Sequence, residues 1–224
     1  MVVAHGAIDK KEGGDTKLAS GKITIEAELN IPQLISRAVD WIMARVDKAN
    51  GATASEERSH ASNTGNRSAA SNTGDYSAAS NTGDYSAASN TGYGSKVSNE
   101  GHFAVASSTG DGSTADTSGH HSAATNTGYG STAAATGEHS LAANAGNQST
   151  ASVTGQGSVA VAAGHQSRAR AGVGGAIVLC YRGEDDDQIV DIRAALVGHG
   201  GIKPDTWYRL GADGQFIEVS DDQE

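Results

Sequence analysis

A glycine recurs every nine residues from Gly65 to Gly164, twelve times without an insertion or a deletion, and this repeat limits the possible folds most. Serine stands three residues after each of these glycines, except at Ala104, and alanine stands five residues after them, except at Val97. A disordered linker has no physical reason to keep such a phase, whereas stacked coils need it because each coil lies on the previous one. The repeat therefore predicts a β-solenoid.

Each nonapeptide is expected to supply one short strand and one tight turn. Side chains two residues apart point to the same side of a strand, so the serine and the alanine are expected to form a thin core. The variable residue between them is expected to face outward. Asn-Thr-Gly, which is common in the repeats, is typical of a turn in which glycine adopts a positive φ.

The second residue after each glycine indicates how many repeats make one coil, because it alternates between two sets. One set is mostly large and planar and the other is mostly Gly or Gln. This period of 18 predicts two repeats per coil, a flattened two-sided roll of about six coils spaced roughly 4.8 Å apart. Three repeats per coil, or 27 residues, is the alternative geometry, and it would mix the two sets. The two sets are Arg67, Tyr85, Phe103, His121, His139 and Gly157, and Tyr76, Gly94, Gly112, Gly130, Gln148 and Gln166.

The composition supports a division into three segments. Leu, Ile, Val and Phe make up only 34 of 224 residues, which with a net charge of −10 is typical of disorder. Only seven of these 34 lie in residues 61–172, the predicted solenoid, where a narrow coil leaves no room for them. Residues 1–60 are expected to form an N-terminal strand-helix cap. Residues 173–224, which carry −7 of the charge, are expected to form a small antiparallel β module.

The N-terminal cap is predicted from a strand and an amphipathic helix. Lys22–Leu29 alternates as a strand, Asn30 can cap a helix, and Pro32 suits the first helical turn. Apolar residues then recur at helical spacing as far as about Ala49. Their face is expected to cover the first coil or, alternatively, to form an oligomer contact. The face consists of Leu34, Ile35, Ala38, Val39, Ile42, Met43 and Val46.

The C-terminal module is predicted from four strands. Ala176–Tyr181 is a strongly apolar strand, Gly183–Asp187 an acidic turn and Gln188–Val197 a second strand. Trp207–Leu210 and Gln215–Val219 then flank a Gly-Ala-Asp-Gly turn as a hairpin.

Several function classes are not expected from this sequence. It contains neither a Gly-x-Ser-x-Gly elbow nor a phosphate-binding Gly-x-x-x-x-Gly-Lys loop. A single cysteine, Cys180, provides neither a disulfide framework nor a cysteine-based zinc site, and the aspartates are too sparse for a repeated calcium site. The excess of acidic residues argues against nucleic-acid binding, and no apolar run reaches membrane-spanning length. We therefore expect a non-enzymatic cytoplasmic protein without a cofactor.

One column of turn residues is the best candidate for a binding surface. Large planar side chains stacked on a rigid ridge can contact a protein partner, although the same stacking could simply stiffen the turns. The candidate column is Arg67, Tyr85, Phe103, His121 and His139.

Two further groups are weaker candidates. The acidic residues Glu184, Asp185, Asp186, Asp187 and Asp191 could contact a basic partner or could form a solvated loop. With 18 residues per coil, His102, His120 and Glu138 share a column, as do His121 and His139. Stacked neighbours would be close enough to share a metal ion, but solvated turn residues are the simpler interpretation, and no metal site is assigned.

The repeat Ser-Ala-Ala-Ser-Asn-Thr-Gly-Asp-Tyr, together with Gly174–Tyr181 and Gly201–Tyr208, resembles a family of uncharacterised phage and prophage proteins. The resemblance covers about residues 17–219 and includes the opening Lys17–Glu28, the nonapeptide array and the C-terminal module. It implies a virus-encoded or prophage-encoded protein that acts in a bacterial cytoplasm. The family implies no activity and no functional residues.

From these features we expect a rigid scaffold that binds a protein, with an inhibitor of a host defence or regulatory protein as the most concrete form. A structural component of a virion or filament, in which the helix drives assembly as a homo-oligomer, is the second hypothesis. A solenoid that binds a glycan or a metal through its Tyr, Phe and His residues is the third.

Overall fold

The computed structural model describes residues 2–10, 18–25, 51–183 and 187–220. These residues belong to two compact units, Met1–Lys48 and Ala49–Glu224. In the first unit, β1 (Val2–Lys10) and β2 (Leu18–Ile25) form an antiparallel pair. The predicted strand Lys22–Leu29 overlaps the end of β2. The predicted helix, with its face of Leu34, Ile35, Val39, Ile42, Met43 and Val46, lies outside the described residues.

The second unit is a two-sided β-solenoid. Four-residue strands alternate between two parallel sheets, called here the first sheet (which begins with β3) and the second sheet (which begins with β4). Partner residues lie 18 positions apart, as in the pairs Ala70–Ala88 and Ala79–Val97. This register confirms two repeats per coil and excludes three. The first-sheet strands are β3 (Gly51–Ala54), β5 (Ala69–Asn72), β7 (Ala87–Asn90), β9 (Val105–Ser108), β11 (Ala123–Asn126), β13 (Leu141–Asn144) and β15 (Val159–Ala162). The second-sheet strands are β4 (His60–Asn63), β6 (Ala78–Asn81), β8 (Lys96–Asn99), β10 (Thr114–Thr117), β12 (Thr132–Ala135), β14 (Thr150–Val153) and β16 (Arg168–Ala171).

The stack contains about seven coils, one more than the sequence predicts. The additional coil arises because β3 begins at Gly51 and pairs with β5 in the regular register. Coil formation therefore starts inside residues 1–60, where the glycine repeat is not yet visible. Within the described ranges the solenoid contains no helix, and no helix is long and apolar enough to cross a membrane.

The periodic glycines are required for a different reason from the one predicted. Their φ angles are not positive, and the positive φ belongs instead to the second residue after each glycine, such as Tyr85 at φ 57. A Cβ on Gly119 would lie well under 3.0 Å from the carbonyl oxygen of Gly101, one coil earlier. The glycine that recurs every nine residues therefore marks a point of close contact between coils, where no side chain fits.

The asparagine of the repeat was predicted in the turn, but it is the last residue of the strand and points into the core. Asn126 is 1% exposed. Its Oδ1 accepts a hydrogen bond from the Gly128 N–H at 3.0 Å, and its Nδ2 donates to the carbonyl oxygens of Ser113 at 3.0 Å and Thr132 at 3.4 Å. One amide thus satisfies backbone groups on both sides of the coil, as buried polar groups require.

The serine of the repeat satisfies the backbone at the other end of each strand. Ser122 Oγ accepts from the Ala104 N–H at 3.1 Å and donates to the Gly101 carbonyl oxygen at 3.0 Å, and both partners lie in the previous coil. Comparable bonds recur along both edges, so most of these serines join two coils. The alanines between serine and asparagine are buried, as predicted, and Val97 occupies the same position at 0% exposure.

Larger residues close the C-terminal end. β17 (Ala176–Arg182) continues the first sheet beside β15, and β18 (Ile189–Leu196) pairs antiparallel with β17. β19 (Trp207–Leu210) pairs antiparallel with both β16 and β20 (Phe216–Val219). These strands agree closely with the four predicted ones, but they extend the two sheets of the solenoid. The core here contains Ile177, Leu179, Ile202, Tyr208 and Leu210.

Candidate binding surface

The predicted column of planar side chains forms a continuous ridge along one edge of the solenoid. Successive ring centroids lie 5.1 Å apart between Tyr85 and Phe103, 5.0 Å between Phe103 and His121, and 5.3 Å between His121 and His139. The planes of neighbouring rings differ by only 5° to 11°. We call these four side chains the ring ridge, and Arg67 occupies the equivalent position one coil before Tyr85.

Each residue of the ring ridge adopts a backbone conformation that is unfavourable for a bulky side chain. The φ angles are 57° at Tyr85, 54° at Phe103, 56° at His121 and 53° at His139. For a residue with a Cβ this left-handed conformation costs on the order of 1–2 kcal/mol. Hydrogen bonds between coils hold the turns in place; for example, the Phe103 N–H donates to the His120 carbonyl oxygen at 3.0 Å.

The opposite edge of the solenoid shows that the turn does not need a ring at this position. Gly94, Gly112 and Gly130 occupy the equivalent position there, with φ between 59° and 63°. Glycine adopts these angles without strain. The fold therefore tolerates the ring ridge but does not require it.

The ring ridge is open to solvent. Tyr85 is 60% and Phe103 is 51% exposed, and both histidines are also exposed. Stacking covers the faces of the inner rings, so the edges of the rings form the outer surface. Such a surface combines the apolar edges of Tyr85 and Phe103 with the polar edges of His121 and His139, and it can offer a partner both apolar contact and hydrogen bonds.

A second column lies directly beside the ring ridge and stabilises the turns. It contains Asn66, Asp84, His102, His120 and Glu138 at 18-residue spacing. The His102 N–H donates to Asp84 Oδ1 at 2.9 Å, the His120 N–H to His102 Nδ1 at 3.0 Å, and the Glu138 N–H to His120 Nδ1 at 3.0 Å. Asn, Asp and His all place an acceptor atom at the same distance from the backbone, so each of the three can accept the N–H of the next coil.

These bonds assign the tautomer of the two histidine rings. An Nδ1 that accepts from a backbone N–H carries no proton, so the ring proton of His102 and His120 is assigned to Nε2. The two rings stack at 5.1 Å with an angle of 5° between them. The column predicted from the sequence is thus present, and the Nδ1 atoms of its two histidines already accept hydrogen bonds from backbone N–H groups. Among the described residues, no group of three or more His, Cys, Asp or Glu side chains is arranged to hold a metal ion.

The acidic candidates lie only partly within the described residues. Glu184, Asp185 and Asp186 lie outside them. Asp187 lies beside Arg182, with Oδ2 3.8 Å from Nη1, and Asp191 Oδ2 accepts from Arg193 Nε at 2.9 Å. Both described carboxylates therefore have an arginine next to them.

A polar groove on the outer face of the second sheet is a feature that the sequence analysis did not single out. Its lining includes Thr132, Thr150 and Arg168, which stand at equivalent positions of three successive strands, and Arg209 of β19. The change from threonine to arginine along one outward column is visible in the sequence. The proximity of Arg209 is not, because it depends on how the C-terminal hairpin packs.

Comparison with known proteins adds no assignment. No protein family, no curated protein and no solved structure matches the chain. Its fold and its candidate surface are therefore interpreted from its own residues.

Proposed function

We propose that this protein is a non-enzymatic binding scaffold that recognises a protein partner through the ring ridge. The observation that carries the proposal is the choice of Tyr85, Phe103, His121 and His139 at positions where φ is positive. Stacking of two neighbouring aromatic rings contributes about 0.5–1.5 kcal/mol, which at most offsets the backbone cost of about 1–2 kcal/mol for each residue. Stability alone does not favour exposed rings over glycine here, and contact with a partner does.

The rigidity of the solenoid supports the same function. Because each turn is hydrogen-bonded to the next coil, the ring ridge loses little conformational freedom when a partner binds. Aromatic side chains on a fixed support are also the groups that most often dominate protein–protein contacts.

The nature of the partner is proposed from the resemblance to phage and prophage proteins. A virus-encoded scaffold without catalytic groups would act by occupying a surface of a host protein in the bacterial cytoplasm. A host defence or regulatory protein is therefore the partner that we propose to look for.

The test replaces rings with glycine, the residue found at Gly94, Gly112 and Gly130 on the opposite edge. In Tyr85→Gly/Phe103→Gly the backbone strain is relieved, so the urea midpoint should remain within a few tenths of a molar of wild type. A partner recovered from bacterial lysate by the wild-type protein should lose at least tenfold in affinity for this variant.

The matched control is Tyr76→Gly, which makes the same replacement at the equivalent position of the opposite edge. It should retain full affinity for the partner. Equal binding by wild type and the double glycine variant would refute the ring ridge as the contact surface.

Self-assembly is a second candidate function, and the outermost strand β18 favours it. Val190, Ile192 and Leu196 of this strand are exposed by 64%, 55% and 58%. If two copies of β18 paired antiparallel about Ile192, Asp191 of one copy would lie opposite Arg193 of the other, and opposite charges favour such a pair. Sedimentation equilibrium distinguishes this function: a dimer that Ile192→Lys dissociates supports it, and a monomer at high micromolar concentration refutes it.

A further inference from the structure

The groove on the second sheet lies on the side of the solenoid away from the ring ridge. It is an open groove with a volume of about 580 Å³, within the range of small-molecule sites. Thr132, Thr150 and Arg168 form its floor. Gln148 and Gln166, which stand at the left-handed turn positions, form one wall. Arg209 and Val219, from β19 and β20, close the end nearest the C-terminus.

The charge of this groove is opposite to that of the whole protein. The chain has a net charge of −10, yet none of the described residues that line the groove is acidic, and two of them are arginines. Arg170 lies next to the groove on the same strand as Arg168. Within the described part of the chain, no carboxylate forms an ion pair with Arg168, Arg170 or Arg209.

Arg168 and its neighbour Arg170 are held in place by Trp207 before any ligand binds. The guanidinium carbon of Arg168 lies 5.1 Å from the centre of the Trp207 ring, and that of Arg170 lies 4.5 Å from it. Arg170 Nε also donates to Ser152 Oγ at 2.9 Å. Cation–π contact fixes the plane of each guanidinium and leaves the N–H groups of Arg168 available as donors.

The polar groups along the rest of the groove suit hydroxyl groups. Thr150 Oγ1 donates to Thr132 Oγ1 at 3.1 Å, so each hydroxyl keeps a lone pair for a further contact. The Tyr129 hydroxyl donates to Gln148 Oε1, which leaves the amide nitrogen of Gln148 as a donor. Gly130 stands where Gln148 and Gln166 stand in the next two coils, so the wall is open at that end.

From this arrangement we infer that the groove binds a hydroxylated small molecule that carries an oxyanion. Arg168 and Arg209 bind the phosphate or carboxylate, because guanidinium groups match the geometry of both. Gln148, Gln166 and Thr150 bind the hydroxyl groups. This site does not depend on the ring ridge, and its ligand is a small molecule whether or not the scaffold also binds a protein.

The test is calorimetric titration with four probes, namely glucose 6-phosphate, inorganic phosphate, glucuronate and glucose. Glucose 6-phosphate or glucuronate should bind more tightly than inorganic phosphate, and glucose should not bind measurably. Whichever of the two charged sugars binds more tightly identifies the oxyanion. Their affinity should fall as sodium chloride is added, because salt screens the charges.

The variants Arg209→Gln and Arg168→Gln should each weaken binding by about tenfold to a hundredfold, as expected for a lost charge-assisted hydrogen bond. Arg209 is exposed and its removal leaves the Trp207 contacts unchanged, so this variant tests the site even if Arg168→Gln disturbs the fold. The control is Lys96→Gln, because Lys96 is a cation in the same outward column as Thr132 but two coils away.

The inference is overturned if none of the four probes binds at millimolar concentration. It is also overturned if Arg209→Gln binds as wild type does, or if Lys96→Gln loses as much affinity as Arg209→Gln, since that result would indicate only general attraction of anions.

Discussion

The substitution Ser108→Asn should stabilise the solenoid, because Ser108 interrupts a column of buried asparagines. Asn90 lies one coil before it and Asn126 one coil after it in the first sheet, each 1% exposed. Among the described residues, the Ser108 hydroxyl is one of two buried side-chain groups that have no hydrogen-bond partner. A buried polar group without a partner costs on the order of 1–3 kcal/mol.

The expected gain can be worked out from the neighbouring coil. Asn126 makes three hydrogen bonds to backbone groups, and an asparagine at 108 would meet the equivalent groups, including the Gly110 N–H. Each such bond contributes about 1 kcal/mol net, while ordering the longer side chain costs about 1 kcal/mol. Removal of the unpaired Ser108 hydroxyl adds at least about 1 kcal/mol, so the free energy of unfolding should rise by about 3 kcal/mol.

Urea unfolding followed by circular dichroism and amide exchange at Gly110 measure this effect. Because a solenoid can unfold coil by coil, exchange at Gly110 reports the local gain most directly. Ser107→Asn, on the outward side of the same strand, serves as the control and should leave both measurements unchanged. A lower midpoint and faster exchange in Ser108→Asn would refute the structural role assigned to the asparagine column.

Two further predictions concern the coil contact and the cysteine. Gly119→Ala should destabilise the protein by about 3 kcal/mol, because the new Cβ would overlap the Gly101 carbonyl oxygen. Gly112→Ala has open space around the new Cβ but a positive φ, and it should cost about 1 kcal/mol. Equal urea midpoints for the two variants would contradict this. Burial raises the pKa of the Cys180 thiol, against the smaller opposing effect of Arg182, so the thiolate is disfavoured in the folded state. Alkylation at pH 8 should therefore be slower than in urea, and stability should fall as the pH rises through the thiol range; equal alkylation rates would refute this.

The coil length and the ring ridge were predictable because both depend on periodicity alone. An 18-residue alternation at one turn position places Tyr85, Phe103, His121 and His139 in a single column in any two-sided roll. The structure then supplies the distances between the rings. It also shows that the ring-ridge residues have a positive φ, which could not be predicted from the sequence because aromatic residues rarely adopt it.

The roles of the asparagine and the glycine were not predictable from local preferences. Asn-Thr-Gly is a common turn sequence. Only the closeness of the opposite strand shows that the asparagine amide must point inward to form hydrogen bonds with the backbone groups of that strand. The contact between Gly119 and Gly101 likewise depends on the coil spacing. Arg209 reaches the groove through tertiary packing of the hairpin, for which no sequence period exists.

The alternation between two edges restricts how such a protein can change its length. Duplication of a single nonapeptide after residue 110 would move every later strand to the other sheet, so His121 and His139 would leave the edge that carries Tyr85 and Phe103. The C-terminal strands would move together with β15 and β16, so β17 would stay beside β15 and β19 beside β16, and only the columns that cross the insertion would be broken. Duplication of 18 residues adds one complete coil and keeps every column aligned. Genes for solenoids of this kind should therefore differ in length by even numbers of repeats.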